Sequence, residues 1–219
     1  MAASAPVRPT QIFDVGCVRC PRLAGHLRQI REGEPSYWAL PVAPFGVAAP
    51  RILIVGLAPG RHGANRTGRP FTGDFAGILL YSTLYEFGLA TRPVSVSAED
   101  GLKLRNARIT NAVKCLPPAN KPMPVEIRTC NRYLAAELAS LPSVRVVLAL
   151  GRIAHEAVLL ASGLPRGAFV FAHGREHALA ATRCLIDSYH CSRYNTQTRR
   201  LTTPMFKSVV AQACALAGL

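Results

Sequence analysis

No apolar run in this chain approaches the ~20 residues needed to cross a bilayer. Residues 1–10 also lack the apolar core of a secretion signal, so a cytoplasmic, nucleoid-associated location without membrane contact is expected. Internal repeats and low-complexity tracts are missing, which leaves one domain over residues 1–219 as the simplest organisation, with 1–10 as a loose tail. Acid is scarce. Twelve Asp and Glu stand against 26 Lys and Arg, a formal net charge of +14, and 22 of those cations are arginine. Arginine binds phosphate bidentately and stacks on bases, so nucleic acid is the leading partner, to be met by a monomer. Hydrophobic residues make up 49% of 219, enough for a sizeable core, so this is not a disordered composition. Seven cysteines at uneven spacing suit ligands or buried thiols better than disulfides.

The stretch 56–74, GLAPGRHGANRTGRPFTGD, follows the apolar run Ile52-Leu53-Ile54-Val55, which reads as a buried strand. Five glycines and two prolines let the backbone turn sharply and approach a ligand. Three arginines, one aromatic ring and one carboxylate suit a loop that holds a phosphate or a base and acts on it. An arginine-rich surface loop is the plainer alternative.

The rest of the chain alternates strands and helices. Strands are expected at 51–55, 108–113, 144–150 and 183–188, and helices at 22–31, 74–87, 124–139, 151–161 and from Thr203 onward. Residues 34–50 read as an irregular cover with Tyr37 and Trp38 buried, and 169–182 as a stretch without clear periodicity. Alternation of this kind implies an α/β fold with a mostly parallel sheet and helices on both faces. Ligands bind beyond the carboxyl ends of such strands. Phe71, Asp74, Asn120 and His190 fall in the loops after strands and can meet there. A ring can stack on a base, an amide can pair with its edge, an imidazole can donate to a leaving anion, and a carboxylate can hold water. Each also has a plain role: Asp74 suits a helix N-cap, Asn120 a turn, Phe71 the core, and His190 a satisfied structural site.

Cys17 and Cys20 have two residues between them, Cys115 and Cys130 fourteen. Four thiolates can bind zinc or an iron–sulfur cluster, and the wide second pair favours a cluster over a compact zinc ribbon. Cys184 and Cys214 read as buried free thiols. Cys191 as a nucleophile beside His190 is disfavoured, because adjacent strand residues point to opposite faces.

The segments 56–60 and 65–74 resemble the first motif of the family 5, or B-type, uracil-DNA glycosylases. Residues 190–198, HCSRYNTQT, look like their second motif, and 114–122, KCLPPANKP, is similar to the segment between. The resemblance runs from Cys17 to the final helix. It implies a central four-stranded parallel sheet flanked by helices, under an N-terminal iron–sulfur cover. It implies a structural 4Fe-4S cluster on Cys17, Cys20, Cys115 and Cys130. It implies hydrolysis of the N-glycosidic bond of uracil, and of hypoxanthine, xanthine and ethenocytosine, in DNA. Carried over by motif, Phe71 stacks on the flipped base, Asn120 is the main reader of its edge, Gly56 and Ala58 complete the base site, His190 stabilises the leaving anion, and Asp74 handles water. Arg61, Arg66 and Arg69 grip phosphates, while Arg193, Tyr194 and Asn195 meet the DNA from the second motif. Family 4 relatives carry Glu where this chain has Leu57. Cys191 and Arg199 depart from the motif. A non-enzymatic iron–sulfur nucleic-acid-binding protein and an iron–sulfur electron carrier are the rival readings.

Overall fold

The computed structural model describes residues 13–219, so the tail expected at 1–10 lies outside the described residues. A six-stranded sheet in the order β1-β3-β2-β4-β6-β5 forms its centre. The four inner strands, β3 (Ala107–Asn111), β2 (Ile52–Gly56), β4 (Val146–Leu150) and β6 (Arg183–Ser188), are parallel, as expected. Two short antiparallel edges are added: β1 (Phe45–Gly46), inside the supposedly irregular cover, and β5 (Glu176–Ala180), inside the stretch without periodicity. β5 escapes a pattern search because its half-buried positions are His177 and Leu179, and a histidine breaks the apolar alternation.

β2 (ILIVG) and β4 (VVLAL) are buried at every position, so both faces must be covered. Alternation then sorts the side chains. Ile52, Ile54, Val146, Leu148 and Ile186 pack on one face against α3 (Phe75–Glu86) and α7 (Thr203–Ala217) through Leu80, Leu84, Phe206, Val209, Val210 and Ala213. Leu53, Val55, Val147, Ala149 and Leu185 pack on the other face against α4 (Pro124–Ser140) and α5 (Arg152–Ala161). Each fully buried Leu or Ile contributes about 1.5–3 kcal/mol relative to exposure.

A third cluster joins α1 (Pro21–Gly33) to the loop after β3 and to Tyr133. Trp38 departs from expectation. It is 41% exposed, because its indole lies on Gly68 at the surface and donates to the Pro41 carbonyl at 3.2 Å. Tyr37 and Cys184 are half-buried, while Cys214 is buried. Among the described residues, no helix is long and apolar enough to cross a membrane.

Candidate active site at the carboxyl ends of the strands

A cavity of about 380 Å³ opens beyond the carboxyl ends of the inner strands. Leu57, Ala58, Phe71, Asp74, Asn111, Asn120 and His190 are among its lining, so the four residues expected to meet do meet. Gly56 packs behind the lining, against Asn111 and Phe71. A methyl group added there would lie 2.5 Å from Asn111 Oδ1 and 2.6 Å from Phe71 Cζ, so only glycine lets β2 reach this close. Phe71 is 6% exposed and sits in the left-handed region (φ 55°), unusual for a bulky residue and found where surroundings dictate the backbone. Its ring stacks against His190 at 5.9 Å between centroids and 29° between planes.

Asp74 takes the N-cap role the sequence suggested and also lines the cavity. Its Oδ1 caps α3 by accepting the Gly77 N–H at 3.0 Å, and its carboxylate lines the cavity. Burial raises its pKa above the ordinary carboxylate value, against the N–H groups of Gly77 and Ala76, which lower it. Gly63 makes room for it, since a Cβ there would collide with the carboxylate. Gly63→Ala is therefore expected to lower any Asp74-dependent rate by about tenfold or more and, because the same carboxylate caps α3, to cost about 1 kcal/mol of stability. Single-turnover kinetics alongside a thermal melt read both.

His190 is half-buried, and burial pulls its imidazole down to about 4, so it is neutral at physiological pH. Cys191, next to it, points the other way into the core. It is fully buried, its thiol pushed up to about 12 by burial and by the Asp74 charge, which removes it as a nucleophile. Asn120 is exposed at the cavity rim, where Ala119 and Asn120 both take left-handed backbone. The inward amide is instead Asn111, at the end of β3. It is 3% exposed, and its Oδ1 has no hydrogen-bond partner among the described residues. An orphaned buried acceptor facing a cavity costs about 1–3 kcal/mol until a ligand donor meets it. The sequence reading passed over Asn111, although a polar residue closing a buried parallel strand is the signal that identifies it.

The arginines divide. Arg61 and Arg66 are exposed beside the cavity loop, and Arg193, also exposed, lies over the Phe75 ring at 5.1 Å. Tyr194 on α6 (Arg193–Gln197) is 71% exposed. Arg69 is not a phosphate grip. It is 4% exposed and bonds Asp100 at 2.6 Å, Ser95 at 2.5 Å and Thr72 at 2.9 Å, bracing the loop from inside. Burial works to raise the Asp100 pKa, but bonds from Arg69 and two backbone N–H groups hold it far below the usual range. Arg69→Ala leaves that carboxylate without its partner. It should cost about 3 kcal/mol or more of stability, read by chemical denaturation, with the salt dependence of DNA binding unchanged. Asn195 is also committed inward, its Nδ2 donating to the His190 carbonyl at 2.8 Å.

Cys17, Cys20, Cys115 and Cys130 line one apolar recess with Leu23, Pro41, Lys114 and Tyr133. Burial and the neighbouring cysteines push the Cys20 thiol up to about 11 and Cys115 up to about 12. The Lys114 N–H donates to Cys130 Sγ at 3.3 Å.

A family model described as the uracil DNA glycosylase superfamily matches residues 43–214. A type-5 uracil-DNA glycosylase of Thermus thermophilus is 52% identical over 210 residues, covering 93% of this chain and 94% of that one. One of Pyrobaculum aerophilum is 43% identical, covering 93% and 90%. A type-4 uracil-DNA glycosylase of Thermotoga maritima is 36% identical over 105 residues, 48% of this chain and 46% of its own length. An α/β sheet with its cavity at the carboxyl ends of parallel strands, this match and these identities lead to one conclusion: the chain belongs to the uracil DNA glycosylase superfamily, in its type-5 branch.

Proposed function

We propose that this chain is a base-excision repair glycosylase that hydrolyses the N-glycosidic bond of uracil in DNA and leaves an abasic site. The observation that carries the reading is one cavity lined by a stacking ring, an unpartnered buried amide oxygen, a neutral imidazole and a buried carboxylate. Flipping a base out of the duplex costs a few kcal/mol. Phe71 offers the ring on which it stacks. Asn111 Oδ1 accepts the ring N–H of uracil, and Asn120 meets the base from the rim. The neutral His190 donates to the carbonyl oxygen on which negative charge grows as the base leaves. Asp74 holds the attacking water and faces the cationic sugar. Ala58 supplies wall with Gly56 proposed to complete the base site behind Phe71, and Leu57 brings no polar group, so Asp74 is the one carboxylate lining the cavity. With Asn111 as the one buried amide lining the cavity, bases with other edges, namely hypoxanthine, xanthine and ethenocytosine, are substrates too.

Arg61, Arg66 and Arg193 contact phosphates, and Tyr194 fills the space the base vacates. The enzyme works as a single-domain monomer on the nucleoid.

The four-cysteine recess fits a 4Fe-4S cluster. Tetrahedral zinc, with bonds of about 2.3 Å, draws its sulfurs to within about 4 Å of one another. Among the described residues no three of these cysteine sulfurs gather within 4.8 Å. The N–H···S bond from Lys114 is the kind that surrounds cluster sulfurs. The cluster's contribution is a brace between α1 and the loop after β3.

The test is a panel of duplex oligonucleotides carrying uracil, hypoxanthine, xanthine, ethenocytosine or thymine, each incubated with enzyme and then treated with hot alkali. Strand breaks at the first four and none at thymine are expected. Tight binding without breaks would make the chain a binding protein.

A further inference from the structure

Three residues before His190, Asp187 is fully buried on β6. Its Oδ1 meets His155 Nδ1 at 2.7 Å, and its Oδ2 meets His177 Nε2 at 3.0 Å and the Ala172 N–H at 3.2 Å. The other His155 nitrogen, Nε2, lies 3.0 Å from the Phe169 carbonyl oxygen. A carbonyl oxygen and a carboxylate both accept hydrogen bonds, so this pair of contacts favours a proton on each His155 nitrogen. His155 is sealed against Asp187, their side chains 2% and 0% exposed. Burial alone would lower the His155 pKa, but the hydrogen bond and charge of Asp187, with the Phe169 carbonyl, raise it. The three side chains place ligand atoms within 4.8 Å, as a metal ion would need, but each of those atoms is already engaged in a hydrogen bond of ordinary length.

Each partner of Asp187 belongs to a different segment, and two of these segments pack beside Ser188, Tyr189 and His190. His155 ties in α5, whose N-cap residue Gly151 donates to Ser188 O at 2.8 Å; a Cβ at Gly151 would lie 3.5 Å from His190 Cβ. His177 ties in β5. Ala172 ties in the turn whose Phe171 and His173 pack on Tyr189, with His173 Nδ1 accepting the Tyr189 N–H at 3.1 Å. The end of β6, which leads to His190, is thus tied to three segments through one carboxylate.

We propose that Asp187, paired with a protonated His155, is the positioning residue of the base-release reaction: the buried ion pair aims the His190 imidazole into the cavity. The proposal rests on the glycosylase reading above. The charged and titratable groups around His155 are Asp187 on β6, His177 on β5, Glu156 on α5, and Arg152 and Arg166, which line the same small cavity. Glu156 favours the imidazolium, and the two arginines oppose it. A histidine whose folded pKa is raised contributes stability at low pH and loses it as pH rises through the folded value. Base release should therefore show an alkaline limb above the ordinary histidine range that does not belong to His190.

The experiment combines kinetics of the full, cluster-loaded chain on uracil duplex with nitrogen-15 NMR of the histidine rings. Asp187→Asn is expected to lower kcat by about tenfold or more with KM within about twofold, and to flatten the alkaline limb. In the unsubstituted protein near neutral pH, His155 should show two protonated ring nitrogens. A folded Asp187→Asn enzyme with unchanged kcat would overturn the proposal, and so would a neutral His155 ring in the unsubstituted protein. If Asp187→Asn fails to fold, His155→Gln supplies the same kcat comparison. Absence of base release by the unsubstituted enzyme would instead sink the glycosylase reading, while the ring spectrum still reports the ion pair.

Discussion

Asp74→Asn should lower the rate of base release by about a hundredfold or more while leaving the fold in place. Asparagine caps a helix about as well as aspartate, so its side-chain oxygen still accepts the Gly77 N–H at the start of α3. What disappears is the charge. Because burial raises the Asp74 pKa, the ionised form is costly in the folded state. Stability contributed by this carboxyl therefore falls as pH rises from the ordinary carboxylate value to the raised one. The asparagine variant should accordingly be as stable as the parent at neutral pH, or more so, and a thermal melt decides that point. The pH profile has a matching form. Base release should fall on the acid side, at a pH above the ordinary carboxylate pKa, as Asp74 takes up a proton. His190, neutral down to about 4, adds no step between that limb and neutrality. An unaltered rate in Asp74→Asn would remove Asp74 from the chemistry.

The second large effect is on the fold. Cys115→Ala removes one of four thiols around the recess that joins α1, the loop after β3 and α4. Without a metal the Cys20 and Cys115 thiols are neutral, since burial and the neighbouring cysteines push them to about 11 and about 12. A cluster holds them as thiolates, and its binding energy is then part of the folding energy. The variant should lose the absorbance near 400 nm that iron–sulfur centres give, about where such bands fall, and it should unfold at much lower temperature. It should lose folding before it loses chemistry. A colourless, well-folded and active Cys115→Ala protein would contradict the structural cluster.

Much of this was legible in the residues because several signals coincided. β2 and β4 are continuous apolar runs buried on both faces, so the parallel core followed from their composition. Asp74, Phe71, Asn120 and His190 fall after strands, and the position of ligand sites in such sheets brought them to one cavity. The misses have physical causes. Arg69 carries the same charge as its exposed neighbours, and only the fold reveals that Asp100, 31 residues on, claims it. Asn195 looked like a DNA contact but is spent on the His190 carbonyl. Asn111 was overshadowed by Asn120 because burial, not residue type, separates the inward amide from the rim. Asp187 and His155 are 32 residues apart with no spacing signature, so their pairing depends wholly on the packing of α5 on β6. β5 stayed hidden because one of its two inward side chains, His177, serves that same buried network.

The account stands on base release at this cavity, and direct detection of the released base tests it. Purified enzyme is mixed in excess with a duplex containing one uracil, and free uracil is followed by chromatography and mass. Stoichiometric free uracil with an intact sugar–phosphate backbone is the expected result, with the rate falling about a hundredfold or more in Asp74→Asn. A stable protein–DNA complex from which no uracil is released would contradict it.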